Sequence, residues 1–549
     1  MYINPNFTYN KVEPFDNIKD MLSKTVAEAG DHIAYRYKDK KGIHDVTYRE
    51  FEQDTFNLGA ALTADGFGKA FIACCANNRY EWIVTYLTVL KSAGVFVPID
   101  RELPLAEIQY LLNDSGSEVV FYSEKYESYF IEHRDEMPNV KFFIGFDREE
   151  DEGDFLSYQK MTRRGADLDP AEYRALESDP HALKDLVYTS GTTGKAKGVM
   201  LSEHNLCSSI YYGLMVSTIY TVGLSVLPFN HTYEAVCEIL VAIHKRVTIC
   251  INDNLMAVLK NLQLYQPDFI YLVPAIAEMF YKRINSSIDA GGKRKAFNFL
   301  IKLSRGLRKI GIDLRRKLFK SVHSQFGGNL REIVCGGAPI RPVIGEFFID
   351  IGMPLIAGYG ITECSPLVSV NPISFNDFNT AGCRLPCVDW KIDDPNEEGI
   401  GEIVVKGDIV MLGYFNDPEQ TADVLKDGWF YTGDYGYLTD KDQLVITGRK
   451  KNLIVLSNGK NIYPEELESH IMGVDGVKEV VVRGLLDANG LESSLMAEIY
   501  LEEEVTYTKE QLQKLIREEM QGLPDYKRVS SVVIRDEPFV KTTSNKIKR

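Results

Sequence analysis

"YTSGTTGKAKG", residues 188–198, gathers glycine, serine, threonine and lysine directly after the apolar pair Leu186 and Val187. A loop that cradles phosphate needs bare backbone N–H groups, glycines that let a ligand come close, and a flexible cation. This one offers Gly191 and Gly194, the hydroxyls of Thr189, Ser190, Thr192 and Thr193, and the ammonium of Lys197. Its spacing differs from the Walker loop, because Ala196 follows Gly194 and Lys195 where a magnesium-binding Ser or Thr would stand. A Ser/Thr/Gly-rich segment after a strand is also an ordinary turn. The loop alone leaves nucleotide binding open, and the rest of the chain decides it.

Around the loop, short β-rich runs alternate with helical stretches: residues 118–122 (EVVFY), 141–144 (KFFI), 246–251 (RVTICI) and 269–273 (FIYLV). Continuous apolar runs of this length read as strands buried on both faces, so the body is α/β. Between 404 and 447 the pattern shifts to short strands broken by Gly and Asp, a small β-rich subdomain. From 452 to 549 strands such as "VKEVVVRG" and "SLMAEIYL" alternate with helices. One of these opens on a Thr508/Gln511 capping box and another carries Pro464 in its first turn. A chain of 549 residues exceeds what one core serves. The pattern predicts a large multi-subdomain N-terminal body, 1–451, of α/β sheets plus the β-rich subdomain, and a small α+β C-terminal domain, 452–549.

The formal charge of −16 speaks against a phosphate-tracking surface, and nucleic acid is not an expected partner. Nine cysteines without zinc-type spacing fit a reducing, cytoplasmic setting. No basic leader precedes an apolar run, and no run reaches the length of a membrane span. The exception to the acidic balance is 282–320, where thirteen Lys or Arg face two Asp. Phe297, Leu300, Ile301, Leu303, Leu307 and Ile310 recur there at helical spacing. The preferred reading is a surface helix whose apolar stripe packs on the body; the other is a peripheral contact with an anionic membrane surface or an acidic partner.

Six further segments follow the loop: "LPFNHTYE" (227–234), "CGGAPI" (335–340), "AGYGITECSP" (357–366), "GWFYTGD" (428–434), "TGRKKNLIVLSNGKNIYPEELE" (447–468) and "KTTSNKIKR" (541–549). In this order they resemble the motifs of the acyl-adenylate-forming (AMP-binding) superfamily, most like a long-chain fatty acyl-CoA synthetase. The resemblance implies that the loop, with Thr189, Ser190, Gly191, Thr192, Thr193, Gly194 and Lys197, holds the β- and γ-phosphates of ATP. Gly336, Gly337 and Ala338 would lie against the purine and Tyr359 would stack on it, beside Gly360 and Thr362. Glu363 would help hold Mg²⁺, a hard cation that prefers oxygen ligands. Asp434 and Arg449 would grip the ribose, His231 would stand near the acyl carbonyl, and Lys546 would place its ammonium on the carboxylate and α-phosphate. Lys451, two residues past the motif arginine, would be a hinge that withdraws Lys546 and brings in the loop at Gly459 for the pantetheine arm. Two positions depart from the family pattern: Ala196 replaces the usual proline, and Asn545 replaces the usual glycine before the final lysine.

The implied reaction is activation of a carboxylic acid, a medium- or long-chain fatty acid, by ATP to acyl-AMP, followed by thioester formation with coenzyme A. Three alternatives stay open at this point: a ligase that loads a carrier-protein pantetheine, an aryl-CoA ligase, and a nucleotide- or acyl-binding protein without turnover.

Overall fold

A computed structural model describes residues 1–189, 196–487, 490–503, 505–541 and 547–549. The chain divides into two compact units, Met1–Asp389 with Lys406–Leu425, and Trp390–Val405 with Lys426–Arg549.

Two large sheets organise the first unit. The centre of a nine-stranded sheet is parallel, with Thr248–Ile251, Val222–Ser225, Phe269–Leu272, Glu332–Cys335 and Leu355–Gly360 side by side. Several of these are the apolar runs legible in the sequence, and Phe269–Leu272 and Thr248–Ile251 are buried throughout. The strand Leu367–Val370 extends one side in antiparallel register, with Tyr359 opposite Ser369, and Cys383–Arg384 forms the edge beyond it. An eight-stranded sheet holds Phe71–Cys75, Val95–Pro98, Val119–Tyr122 and Phe142–Gly145 in parallel. Its Leu183–Thr189 and Lys197–Ser202 form an antiparallel hairpin that carries the glycine-rich loop.

The stretch 404–447 is not one β-rich subdomain, as its composition had predicted. Gly413–Tyr414 pairs with the hairpin strand of the eight-stranded sheet, Gly413 opposite Met200 and Tyr414 opposite Val199. Periodicity carries no information on which distant edge a two-residue strand will join. Lys406–Leu425 as a whole belongs to the first unit, whereas Gly401–Gly407, Trp429–Leu438 and Leu444–Arg449 build most of a five-stranded sheet centred on the second.

That unit also holds a three-stranded sheet of Val477–Leu486, Glu492–Leu501 and Val529–Arg535. Helices Pro464–Ile471 and Lys509–Glu519 cover it, the second opened by the Thr508 capping box with Gln511.

The helix Arg294–Lys309 shows which part of the basic stretch packs. Phe297 is buried edge-on against Phe319, ring centroids 5.3 Å apart, and Leu300 and Ile301 pack on the same core. Leu303 and Ile310 do not join them and are 40% and 70% exposed. At about 100° per residue they lie roughly a third of a turn away from Phe297. Two cations of the stretch are committed inward, since Arg305 and Arg308 both pair with the buried Asp350, at 2.5 and 3.1 Å. No helix among the described residues is long and apolar enough to cross a membrane.

One buried acid links the sheet to pH. Glu332, opening its strand, accepts a 3.3 Å hydrogen bond from the Tyr220 hydroxyl on one oxygen and has no partner for the other. Burial pushes this carboxyl up to about 8. A carboxyl raised in the folded state contributes stability that is full below its unfolded value and is lost as pH rises through about 8. Glu332→Gln is therefore expected to leave the thermal midpoint nearly unchanged near pH 5 and to raise it by roughly 2 °C or more above pH 8. Melting curves at the two pH values check this, and an equal shift at both would contradict it.

Candidate active site

The glycine-rich loop leaves the hairpin between Thr189 and Lys197, which face each other across the antiparallel pair. Its base is fixed by Tyr188, whose hydroxyl donates to Asp114 Oδ2 at 2.6 Å. Ser190, Gly191, Thr192, Thr193 and Gly194 lie outside the described residues, as does Lys546. On either side of Lys546's segment, Lys541 and Ile547 pair in an isolated bridge, and Lys541 meets Glu479 at 2.7 Å.

Lys197 and Glu363 are brought together by a residue the sequence reading passed over. The Tyr414 hydroxyl donates to Glu363 Oε1 at 2.9 Å, and Lys197 Nζ stands 5.0 Å from the Tyr414 ring centroid. Tyr414 reaches this place because Gly413–Tyr414 pairs with the hairpin strand, as above. Its backbone N–H is held at 2.9 Å by Thr421 Oγ1, on the helix Pro418–Val424. The one available signal was that helix's N-cap, Asp417 before Pro418, which sets the chain direction just after Tyr414. Glu363 lies on the short turn Thr362–Cys364, and its backbone carbonyl accepts from Met411 N at 2.9 Å.

Glu363 Oε2 takes no hydrogen bond among the described residues, which leaves a carboxylate oxygen for a hard cation. No group of three or more His, Cys, Asp or Glu that could hold a metal occurs among the described residues. The single carboxylate of Glu363 fits magnesium, which binds through one or two carboxylates plus the phosphates of its substrate.

Gly336, Gly337, Tyr359 and Gly360 come together along one cavity at the C-terminal ends of parallel strands, a common ligand position in α/β sheets. Close approach explains two of the glycines: a Cβ on Gly336 would meet the Tyr233 ring at 3.0 Å, and one on Gly360 would meet the Pro366 carbonyl at 2.3 Å. Gly337 has φ of +85°, a backbone that favours glycine. Ala338 is exposed beside it, and Thr362 is half-buried next to Glu363.

The same cavity runs on as a slot walled mostly by apolar atoms, between the helix Glu203–Val216 and the π-helical turn Ala235–Leu240. Gly213, Leu214, Val236, Cys237 and Val241 line it. These come from separated segments, and no local motif marks them. His231 caps the short turn Thr232–Glu234, and its neighbour Tyr233, rather than His231 itself, lines the cavity. Glu234 and Glu238 on the π turn are fully buried. Burial raises both carboxyls, and the charge of Glu238 raises Glu234 further. Burial thus disfavours the charged form of each carboxyl on the turn.

In the second unit Asp434 and Arg449 are cross-strand partners, with Arg449 Nε 2.9 Å from Asp434 Oδ1. Asp434 is 4% exposed. An acceptor beside a donor fork is a pair suited to vicinal hydroxyls. Lys451 follows in the turn Lys450–Asn452 and is exposed. Gly459, with φ of +78°, has open space where a side chain would stand.

Residues 22–415 match the model of the AMP-binding enzyme family, and the chain belongs to that family. It is similar to the long-chain-fatty-acid–CoA ligase FadD15 of Mycobacterium bovis, 27% identical, over 85% of this chain and 80% of that protein. Long-chain-fatty-acid–CoA ligase 1 of Homo sapiens is 29% identical over 80% of this chain and 67% of its own length. Among solved structures, the anthranilate CoA ligase AuaEII in complex with anthranoyl-AMP shares the fold, with a TM-score of 0.79 at 18% identity, covering 98% of this chain and 96% of that one.

Proposed function

We propose that the protein is an AMP-forming acid–CoA ligase that activates a medium- or long-chain fatty acid. The observation that carries the acid's character is the apolar slot continuous with Gly336, Gly337 and Tyr359. An aliphatic tail can leave water there while its carboxylate meets the nucleotide. In the first half-reaction a carboxylate oxygen attacks the α-phosphorus of ATP, an acyl–O–P bond forms, and pyrophosphate leaves. In the second, the thiol of coenzyme A attacks the acyl carbon, its proton goes to solvent, and AMP leaves with the bridging oxygen.

Each residue's part follows from its chemistry. Lys197 and the loop hydroxyls hold the departing phosphates; Tyr359 packs against adenine; Asp434 and Arg449 orient the ribose. Lys546 supplies a cation where negative charge gathers in the transition state. His231 positions the carboxylate end of the acid. Glu363 would hold magnesium, which would supply positive charge beside the phosphates. The domain boundary in this proposal is 451, with rotation about Lys451 exchanging Lys546 for the loop at Gly459. The proposal extends to a peripheral membrane contact of 282–320, and a carrier-protein pantetheine in place of free coenzyme A is its nearest rival.

Acid-dependent ATP–pyrophosphate exchange over a panel of fatty, aromatic and amino acids, followed by thioester analysis with free coenzyme A, tests this reading. Exchange with long aliphatic acids and a free CoA thioester support it; exchange with aromatic acids alone, or with none, contradicts it. The slot makes a sharper prediction. A Cβ at Gly213 would already stand 3.3 Å from Leu367 Cδ2, so a larger side chain there must fill the slot. Gly213→Leu is expected to lower kcat/KM for the longest accepted acids by about tenfold to a hundredfold while sparing short ones. Chain-length profiles of the two enzymes check this, and an unchanged profile would place the acyl chain elsewhere.

A further inference from the structure

The helix Arg294–Lys309 has more apolar surface than its packing uses. At about 100° per residue its positions fall into three rows. Phe297, Leu300, Ile301 and Ser304 face the core, with Phe297 and Ser304 buried. A second row, Phe299, Leu303 and Ile310, faces solvent at 64, 40 and 70% exposure. Beside it runs a third row, Lys295, Lys302 and Lys309, seven residues apart, all exposed and without an ion pair or hydrogen bond among the described residues. The neighbouring Arg305 and Arg308, by contrast, are committed to Asp350. Ile312, just past the helix, adds another exposed aliphatic group at 44%.

An aliphatic and aromatic row flanked by uncommitted lysines is the pattern of a helix lying in a bilayer interface. The apolar row enters the acyl boundary, and the lysines snorkel to phosphate. The chain carries −16 overall, so this cationic row is set against the prevailing charge rather than following from it. We infer that Phe299, Leu303 and Ile310 with Lys295, Lys302 and Lys309 form a docking face for an anionic lipid bilayer. This deepens the peripheral contact named above and does not depend on which acid is activated. The charge complement favours lipid over an acidic protein, because an apolar row without acidic counterparts gains most from insertion into hydrocarbon.

Each lysine near an anionic surface contributes about a fivefold gain in partitioning, so three together contribute roughly a hundredfold. The test is co-sedimentation of the full chain with phosphatidylcholine vesicles and with vesicles of phosphatidylcholine and phosphatidylserine, at low and high salt. The unmodified protein should sediment with the anionic vesicles only and be released by salt. The triple variant Lys295→Glu/Lys302→Glu/Lys309→Glu should lose at least a hundredfold in partitioning. Phe299→Ser/Ile310→Ser should weaken binding while keeping its salt dependence. ATP–pyrophosphate exchange with a short water-soluble acid, measured on each variant, shows whether it is folded; these substitutions are outside the candidate active site. Loss of exchange by every preparation with vesicle binding intact would count against the ligase reading and leave this inference standing. Failure to bind either vesicle, equal binding to neutral vesicles, binding that both variants retain, or displacement from vesicles by polyglutamate through tighter binding to it, would each overturn the lipid face. The last would assign the row to an acidic protein.

Discussion

In the Lys546→Ala variant, acyl-adenylate formation from acid and ATP is expected to fall by about two to three orders of magnitude, while conversion of supplied acyl-adenylate to thioester continues. In the proposed mechanism the ammonium serves the step in which charge gathers between the carboxylate and the α-phosphate. Removing a preorganised charge partner from such a step costs roughly 3–4 kcal/mol of transition-state stabilisation. Lys451→Pro should show the reverse pattern. Proline restricts φ at the hinge and the conformation of Lys450 before it. In the conformation described, Tyr435 on the strand Trp429–Leu438 and Tyr463, just before the helix Pro464–Ile471, have ring centroids 5.9 Å apart. A rotation at 451 has to break that contact, and a stiffened turn hinders it. Single-turnover assays of the two half-reactions separate the outcomes. Equal loss of both half-reactions in both folded variants would contradict domain alternation.

The second large effect is expected at Glu363. Glu363→Gln keeps the shape and the hydrogen bond from Tyr414 but removes the charge that favours a divalent cation. Pyrophosphate exchange at low millimolar magnesium should fall by about a hundredfold and recover in part as magnesium is raised. Tyr414→Phe, which removes the 2.9 Å hydrogen bond and keeps the ring beside Lys197, should give a smaller loss of about tenfold. Its signature is a raised magnesium requirement with little change in KM for the acid. Magnesium titrations of the exchange rate check both. If Glu363→Gln loses rate equally at all magnesium concentrations, the carboxylate serves something other than the cation.

What could be read from the sequence follows a physical division. Strands buried on both faces, such as Phe269–Leu272 and Val119–Tyr122, announce themselves by apolar runs. Helix starts announce themselves by caps, as Thr508 with Gln511 does. Asp434 and Arg449 could be named from their motifs, and the structure adds that they are partners across adjacent strands. The remainder depends on contacts between distant segments. Beyond the N-cap that follows it, nothing local marks Tyr414, because its importance comes from pairing Gly413–Tyr414 with a strand some two hundred residues earlier in the chain. The apolar slot was invisible because its walls come from 209–219, 233–241 and parts of four strands. A single apolar stripe was expected on Arg294–Lys309, yet Phe299 begins a second one that periodicity alone merges with the first.

Attack of the acid on the α-phosphorus leaves an isotopic trace in the nucleotide product. With the carboxylate doubly labelled in ¹⁸O, acyl–O–P bond formation followed by thiol attack at the acyl carbon must leave one labelled oxygen in AMP. Mass spectrometry of the nucleotide product after complete turnover with coenzyme A should find that single label in AMP and none in pyrophosphate. Label in inorganic phosphate with ADP as the nucleotide product, or AMP formed without label, would contradict the account.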